Sequence, residues 1–360
     1  MCIPDGGLGG VENTSSVGQT IADYDGDSRG IRKSLYKCCP IPQKSPADIE
    51  VTERDIPKAI PGTAVVQIIA AGIGPGHGYL VTHDVPGFSF PVPSVYGSNA
   101  VDRVVSVGSD SVSIKEGQLV TVDPFATARD DPNVEIIVGL MDSGENKAKT
   151  FASDTWRDDC WQTHAIVPLE NAVPLDEEVL VGKHGYDIEE LTVIVRLSVA
   201  YGAISNVDIK AGEIVIVGPA TGQFGGARVI ALGRNQKALA ELQSSIPRVE
   251  TVVITGDAEK DAQAIQAFEL ADAFVDFTPH SVRSEPSHFK SALLSLRKRG
   301  RIALMGGMNS NISIPYFHMI LNSLELKAKW MYTRAEIRRI VNMVETSKHS
   351  SWGNCVVFTP

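Results

Sequence analysis

The stretch "IVIVGPATGQFGGARVIALGRNQKAL", residues 214–239, decides how the C-terminal half of this 360-residue chain folds. An apolar run, "IVIV", leads into a glycine-rich turn, "GPATGQFGG", and a second apolar run, "RVIALG", follows. Two apolar runs around a glycine-rich turn are typical of a dinucleotide-binding α/β fold. That fold places a helix between the two strands, yet only Ala227 separates Gly226 from the second run.

Two arrangements of this segment are compatible with so short a connection between the two apolar runs. In the first, residues 219–227 return directly to a parallel second strand: nine extended residues span about 30 Å, whereas a parallel crossover normally takes a dozen or more. No helix N-terminus then faces the phosphates. In the second, residues 224–243 form one helix, with Gly233 a weak position costing about 1 kcal/mol. We favour the second because it keeps a parallel sheet feasible, although both damage the adenosine half of a nucleotide site.

Composition and charge exclude several classes of protein. The length fits two domains, and 43% hydrophobic with 21% charged residues is ordinary for a globular protein. A net charge of −10 disfavours nucleic acid or an anionic membrane surface as a partner, since either requires a basic face. No apolar run reaches the ~18 residues of a membrane span. We therefore expect no nucleic acid and no membrane as partners.

The N-terminus and the cysteines indicate the compartment. Residues 1–30 lack the basic and apolar regions of a secretory signal and, being rich in Gly, Ser and Asp, predict a flexible tail. The five cysteines have irregular spacing that suits neither a disulfide framework nor a CxxC metal site. We expect a reducing, cytoplasmic location.

The hydrophobic pattern divides the chain in two. Up to residue 185 it predicts strands at 63–73, within 99–125 and within 162–175, with a polar surface excursion at 126–160. From 186 it predicts one or two helices and then, from 213, strands alternating with helices. That alternation is typical of a doubly wound parallel sheet. The last segments predicted are a strand within 324–333, an amphipathic helix at 334–347 and a final short strand, "NCVVFTP".

Four stretches carry a resemblance to a known family: "AAGIGPGHGYL" (70–80), "PSVYGSNAVDRVVSVGSDSVSIKEGQLVTV" (93–122), "GEIVIVGPATGQFGG" (212–226) and "RKRGRIALMGG" (297–307). They resemble the medium-chain dehydrogenase/reductase superfamily over about residues 31–347, and fungal alcohol-dehydrogenase-like proteins in particular. The resemblance implies a β-rich GroES-like catalytic domain, 31–185 with 334–360, and a doubly wound Rossmann domain, 186–333.

The residues at the family's zinc positions do not suit zinc. Gly74 stands where the resemblance places the first cysteine, Ser98 and Asn99 stand in place of His and Glu, and "RLSVAYG" near the third position has no Cys or His. Cys160 and His164 have a spacing that puts both on one face of a strand, but a surface cysteine and a polar histidine near an edge is the favoured interpretation. We predict a zinc-independent protein.

Without a metal, catalysis would depend on hydride positioning and a hydrogen-bond donor near the substrate. The residues that match this role by position are Tyr96, Ser98, His77 and Tyr201.

The predicted cofactor site combines the glycine-rich turn with later strand ends. Because a small residue followed by arginine after the second strand suits a 2′-phosphate, Arg234 favours NADP over NAD. The predicted cofactor-binding residues are Ala220, Thr221, Gly222, Gly225, Gly226, Arg234, Asn235, Thr278, Gly306 and Gly307.

The predicted function is a zinc-independent, NADP(H)-dependent oxidoreductase that transfers hydride to or from a small carbonyl, alcohol or activated alkene, in general or secondary metabolism. The alternative is a catalytically impaired member of the same fold that acts as a binding or scaffold protein. The short connection at Ala227 and the short C-terminus support that alternative. A homodimer joined through an edge strand at 309–317 is a further expectation, which Pro315 weakens.

Overall fold

Strands are the main regular elements in the first half of the described chain, and strands alternate with helices in the second. The structure is a computed structural model that describes residues 51–73, 91, 93–219 and 228–346. The strands of the first half are β1 (Thr63–Ala71), β2 (Ala100–Val107), β3 (Leu119–Val122), β4 (Phe125–Thr127), β5 (Glu135–Ile137), β6 (Met141–Asp142), β7 (His164–Pro168) and β8 (Ala172–Pro174). Those of the second half are β9 (Ile214–Gly218), β10 (Arg228–Gly233), β11 (Val249–Val253), β12 (Ala271–Asp276), β13 (Leu296–Leu304) and β14 (Glu325–Ala328).

The α-helices follow the same division. They are α1 (Asn146–Thr150), α2 (Ile188–Leu191), α3 (Ile194–Asn206), α4 (Gln236–Ser245), α5 (Ala258–Gln266), α6 (Ser287–Leu294), α7 (Tyr316–Asn322) and α8 (Arg334–Thr346). The helices predicted within 186–207 and at 334–347 are confirmed as α2, α3 and α8.

The first half is built on a five-stranded antiparallel sheet with the order β7-β1-β2-β3-β8. One face of β1 and β2 packs into a cluster of small and β-branched side chains that includes Ala64, Val66 and Val104. Segment 126–160 is more ordered than its polar composition predicts. Strands β4–β6 pair as a second antiparallel sheet. This small sheet has a separate hydrophobic core, in which Ile136 is fully buried. That core uses only scattered apolar residues, which is why the pattern did not reveal it.

The second half is a six-stranded parallel sheet with the order β11-β10-β9-β12-β13-β14. Apolar clusters cover both faces, with α5 and α6 on one and α3 and α4 on the other. Burial on both faces explains why these strands are continuous apolar runs. The order reverses between β9 and β12, which is the arrangement of a doubly wound domain and places a crevice beyond the carboxyl ends of these two strands. The predicted fold class is confirmed.

The favoured helix at 224–243 is wrong. Strand β10 begins at Arg228 and pairs in parallel with β9, from Arg228↔Ile214 to Ala231↔Val217, and with β11 on its other side. Val229 and Ile230 are buried on opposite faces of the sheet, in two different clusters. Successive side chains point to opposite faces in a strand but not in a helix. Helix α4 begins only at Gln236. The chain therefore passes from β9 to a parallel neighbour within residues 219–227.

The last described helix returns to the β-rich half. Helix α8 packs with β3 and α3 in one cluster, in which Ile337 is fully buried. Just before it, the Tyr332 hydroxyl donates to Asp123 Oδ1 at 2.9 Å. Lys329 Nζ lies 2.7 and 2.8 Å from the two carboxylate oxygens of Glu336, which also accepts from Ser205 on α3. These contacts join the end of the parallel sheet to the antiparallel half.

The predicted edge strand at 309–317 is also wrong. Residues 309–315 form no strand, Pro315 precedes the first turn of α7, and β14 is the edge of the parallel sheet in the described chain. Proline lacks the amide proton that strand pairing needs, and it suits the start of a helix instead. The predicted tail at 1–30 and final strand at 354–360 lie outside the described residues. No helix in the described ranges is long and apolar enough to cross a bilayer.

Candidate functional site

The crevice of the parallel sheet is formed by three adjacent strand ends. Asp276, the last residue of β12, pairs with Gly218 at the end of β9 and with Leu304 at the end of β13. The backbone pairing continues one step beyond the strands, since Phe277 N donates to Gly218 O at 2.9 Å and Met305 N donates to Asp276 O at 3.1 Å. The segments that leave these three ends are therefore held side by side where dinucleotides bind in doubly wound sheets.

The residues predicted near the nicotinamide lie at this edge. Gly306 and Gly307 are exposed, and Gly307 N donates to Thr278 O at 3.0 Å. A Cβ on Gly306 would lie 2.4 Å from Thr278 O, so only glycine permits this approach. Thr278 is fully buried, and its hydroxyl donates to Asp276 Oδ1 at 2.6 Å. The backbone of this segment is thus available to a ligand, whereas the Thr278 hydroxyl is already engaged.

Arg234 and Asn235 follow β10 directly. Arg234 is exposed, as binding a 2′-phosphate would require. Asn235 is exposed, and its side chain accepts from Ala238 N at 3.1 Å and caps α4. The other predicted cofactor residues, Ala220, Thr221, Gly222, Gly225 and Gly226, lie outside the described residues.

Two of the predicted catalytic residues lie together on the segment before β2. Tyr96 and Ser98 are buried, and Trp161 N donates to Tyr96 O at 2.8 Å. The rings of Tyr96 and Trp161 are 6.0 Å apart. Burial raises the pKa of Tyr96 to about 12, so its phenol keeps its proton at neutral pH. This segment can therefore hold hydrogen-bond donors in a fixed position.

The other two predicted catalytic residues do not join this pair in the structure. Tyr201 lies on α3, where its side chain packs against the cluster that α3 shares with α8. That position favours a structural role. His77 lies outside the described residues.

Four buried ionisable side chains lie behind Tyr96 and Ser98: Asp102, Asp123, Asp159 and Cys160. Burial raises the pKa of Asp102 well above its usual range, that of Asp123 to about 6 and that of Asp159 to about 7. One oxygen of Asp102 and one of Asp159 have no hydrogen-bond partner. Sequence reasoning missed the three aspartates, although an aspartate inside an apolar strand such as "AVDRVV" is a signal, because buried aspartates are rare unless paired.

Cys160 and His164 do not lie on one strand, because β7 begins only at His164. Cys160 is buried, with Sγ 3.8 Å from Asn99 O, so the expected surface cysteine is also wrong. A Cβ on Gly97 would lie 2.3 Å from this sulfur, so glycine is needed there. His164 begins β7 and is half-buried, and burial lowers its pKa. Within the described ranges no three His, Cys, Asp or Glu side chains are placed to hold a metal ion.

Two cavities lie away from these residues. One, of about 450 Å³, is bordered by Ala258, Ser287 and Lys290 near the N-termini of α5 and α6. The other, of about 300 Å³, lies beside β7 and is bordered by Arg54, Trp156 and His164 among others. Neither includes Tyr96, Ser98, Gly306 or Arg234, so strand topology locates the candidate site better than cavity volume does.

Comparison with known proteins agrees with this architecture. No known protein-family profile matches the chain. L-galactonate-5-dehydrogenase of Escherichia coli K12 is 23% identical over 291 residues, which cover 76% of this chain and 78% of that protein. A zinc-binding dehydrogenase from Sinorhizobium meliloti 1021, solved with NADP, superposes with a TM-score of 0.65 at 17% identity, covering 87% of this chain and 89% of that one. An alcohol dehydrogenase from E. coli CFT073, solved with NADH, gives 0.66 at 17% identity, covering 87% and 88%.

Proposed function

Because the chain belongs to the medium-chain dehydrogenase/reductase superfamily, we propose that it is an oxidoreductase that uses a nicotinamide dinucleotide. Its substrate would be a small carbonyl compound, alcohol or activated alkene. The observation that carries the proposal is the reversal of strand order between β9 and β12, with the exposed backbone of Gly306 and Gly307 beside it. Ligands of doubly wound sheets bind at this point of the topology.

NADP is the cofactor that the described residues favour. Arg234 provides an exposed guanidinium directly after β10, where a carboxylate would select NAD. The structural relatives include one solved with NADP and one with NADH, so likeness alone does not choose between them. When bound, the cofactor would supply or accept the hydride. Gly306 and Gly307 would meet its nicotinamide half, and Gly222 and Gly225 would meet its diphosphate.

The substrate half of the site would be provided by Tyr96 and Ser98. Tyr96 keeps its proton at neutral pH and would donate a hydrogen bond to a substrate oxygen. Zinc does not fit the residues at this position, because a serine hydroxyl and an asparagine amide replace the usual zinc-binding side chains and no described trio of ligands surrounds them. We therefore assign no step to a metal.

The first experiment is a fluorescence titration of the protein with NADPH and with NADH. Removing one charge-assisted contact costs about 1.5–3 kcal/mol, so we expect Arg234→Asp to weaken NADPH at least tenfold and NADH much less. Lys237→Asp, the same charge change at an exposed site on α4, is the matched control. Equal losses in both variants would show a general effect of charge and remove the argument for NADP.

The same titration tests the alternative function, a non-catalytic binding or scaffold protein. The observation behind that alternative is the short connection between the parallel strands β9 and β10: nine residues, where a crossover with a phosphate-binding helix N-terminus normally takes a dozen or more. A folded protein that binds neither nucleotide at millimolar concentration would refute the oxidoreductase proposal and favour this one.

A second copy of the chain is the partner that the surface favours. The exposed face of α7 is apolar: Tyr316, Phe317, Ile320 and Leu321 are 77%, 70%, 54% and 58% exposed. Contiguous apolar faces of this kind mark association sites. Two residues separate α7 from the edge strand β14. Antiparallel pairing of two β14 strands about Leu326 would place Glu325 of each copy opposite Lys327 of the other, which is complementary in charge.

Light scattering after gel filtration tests the dimer. We expect Lys327→Glu to shift the protein towards monomer, because two glutamates would then face each other. Glu325→Lys combined with Lys327→Glu should restore the dimer. A wild-type protein that is monomeric at high micromolar concentration would refute this arrangement.

A further inference from the structure

We propose that Asp276 and His288 form a buried positioning pair that holds together the two segments beside the dinucleotide site, namely the end of β9 at Gly218 and the Gly306–Gly307 turn. The inference rests on the proposed function and assigns a role to residues that sequence reasoning did not single out. Asp276 ends β12 and His288 lies in the first turn of α6.

The pair is part of a compact hydrogen-bonded network. Asp276 Oδ1 accepts from the Thr278 hydroxyl at 2.6 Å and lies 3.2 Å from His288 Nε2. His288 Nε2 is also 3.2 Å from Thr278 Oγ1. Since the threonine proton is directed to the carboxylate, Nε2 must carry a hydrogen and donate to this pair of oxygens. The network thus fixes the imidazole in its Nε2–H form and connects α6 to the end of β12.

Both cofactor segments rest directly on this network. A Cβ on Gly218 would lie 3.0 Å from His288 Cδ2, so the end of β9 lies against the imidazole. A Cβ on Gly306 would lie 2.4 Å from Thr278 O and 3.1 Å from Asp276 Oδ2, so the turn after β13 lies against the carboxylate. A shift of the pair would therefore move both segments relative to each other.

Fold stability alone does not account for these polar groups. The backbone at the three strand ends is already paired through Phe277, Met305 and Gly307. His288 and Asp276 are both buried, and the imidazole packs edge-on against Phe274 at 6.4 Å. Replacing a buried polar pair by apolar side chains of similar volume commonly leaves the fold at least as stable. Its placement where the crevice opens favours a role in orienting the site.

Binding of two probes distinguishes positioning from a general structural role. NADPH would span the whole site, whereas 2′,5′-ADP lacks the diphosphate bridge and the nicotinamide and would depend on the Arg234 end. We expect His288→Leu to weaken NADPH about tenfold, the usual effect of a lost buried hydrogen bond. The same variant should change 2′,5′-ADP binding less than twofold. His288→Gln, whose amide can donate where Nε2 does, should restore NADPH binding to within about threefold of wild type.

Two further variants keep the test decisive. Thr278→Val removes the hydroxyl with little change in volume and should weaken NADPH in the same direction if His288→Leu does not fold. Ser295→Ala removes another fully buried hydroxyl, at the opposite end of β13, and should change neither affinity. Circular dichroism and melting temperature establish that each variant is folded.

The outcomes separate this inference from the proposed function. Wild-type protein that binds neither probe refutes both. Wild-type protein that binds NADPH, with His288→Leu and Thr278→Val folded and binding as tightly, refutes the positioning pair alone. Proportional losses for NADPH and 2′,5′-ADP also refute it, because they would indicate a general loosening of the domain.

Discussion

The buried aspartates behind Tyr96 make stability depend on pH in an unusual direction. Asp102 and Asp159 repel each other, and Asp123 adds to the repulsion at Asp159. Among the described residues no cation lowers the pKa of Asp102 or Asp159; Arg334 acts on Asp123, and the neighbouring Cys160 and Tyr332 are themselves acids. Replacing one carboxylate by an amide should therefore relieve the repulsion, and Asp159→Asn is the sharpest such change.

The magnitude follows from the pKa of Asp159. Burial is the main cause of its rise from 3.8 to about 7, and each pKa unit corresponds to about 1.4 kcal/mol, so ionised Asp159 costs the fold about 4 kcal/mol. The folded state holds this proton more tightly than the unfolded state. The contribution of Asp159 to stability is therefore greatest below pH 4 and falls as pH rises towards 7. Between pH 5 and pH 7 we expect a loss of about 2 kcal/mol from Asp159.

The assay is thermal unfolding of wild type and Asp159→Asn between pH 5 and pH 8.5. The difference between the two proteins isolates Asp159 from carboxylates such as Asp158, whose pKa is lowered by Arg157 and Arg54 despite burial. We expect the variant to melt about 5 °C above wild type at pH 8 and to lose more than half of that advantage at pH 5. Asp130→Asn, at an exposed position, should show no such pH-dependent difference. A variant less stable than wild type at pH 8 would refute the reasoning.

Three further predictions concern packing and the interface. Lys329→Met should lower the free energy of unfolding by about 2 kcal/mol, because Glu336 would keep its buried position without its cation; denaturant unfolding measures this, and a loss below 0.5 kcal/mol would contradict it. Gly306→Ala should weaken NADPH at least tenfold, because its Cβ meets the backbone of Thr278 at 2.4 Å; unchanged affinity would mean that the turn shifts freely. Ile320→Asp should favour the monomer, because it places a charge in the exposed apolar face of α7; sedimentation velocity would show an unchanged dimer if that face lies outside the interface.

Sequence patterns were sufficient where an element has a strong local signal. The strands of the parallel sheet are continuous apolar runs between glycine and polar breakers, and all of them except β10 were expected near the place where they occur. The same holds for α8, whose apolar residues recur at helical spacing and are buried at Ile337, Val341 and Val344. Local periodicity specifies such elements because each buries one face or both faces of a regular backbone.

Sequence patterns gave the wrong prediction where contacts with other parts of the chain determine the structure of a segment. "RVIALG" is compatible with a helix and with a strand, and pairing with β9 and β11 on either side makes it a strand. The segment 309–317 has alternating apolar residues, but Pro315 starts a helix and leaves the edge to β14.

The sequence by itself determined the division into a β-rich half and a doubly wound half, and the family likeness. Only the tertiary structure decided how residues far apart in the chain act together. Asp276 meets His288 because β12 and the start of α6 are brought side by side, and Asp102 meets Asp159 because β2 lies against the segment before β7. Burial and charge proximity depend on these long-range contacts, so no local pattern of residues can encode them.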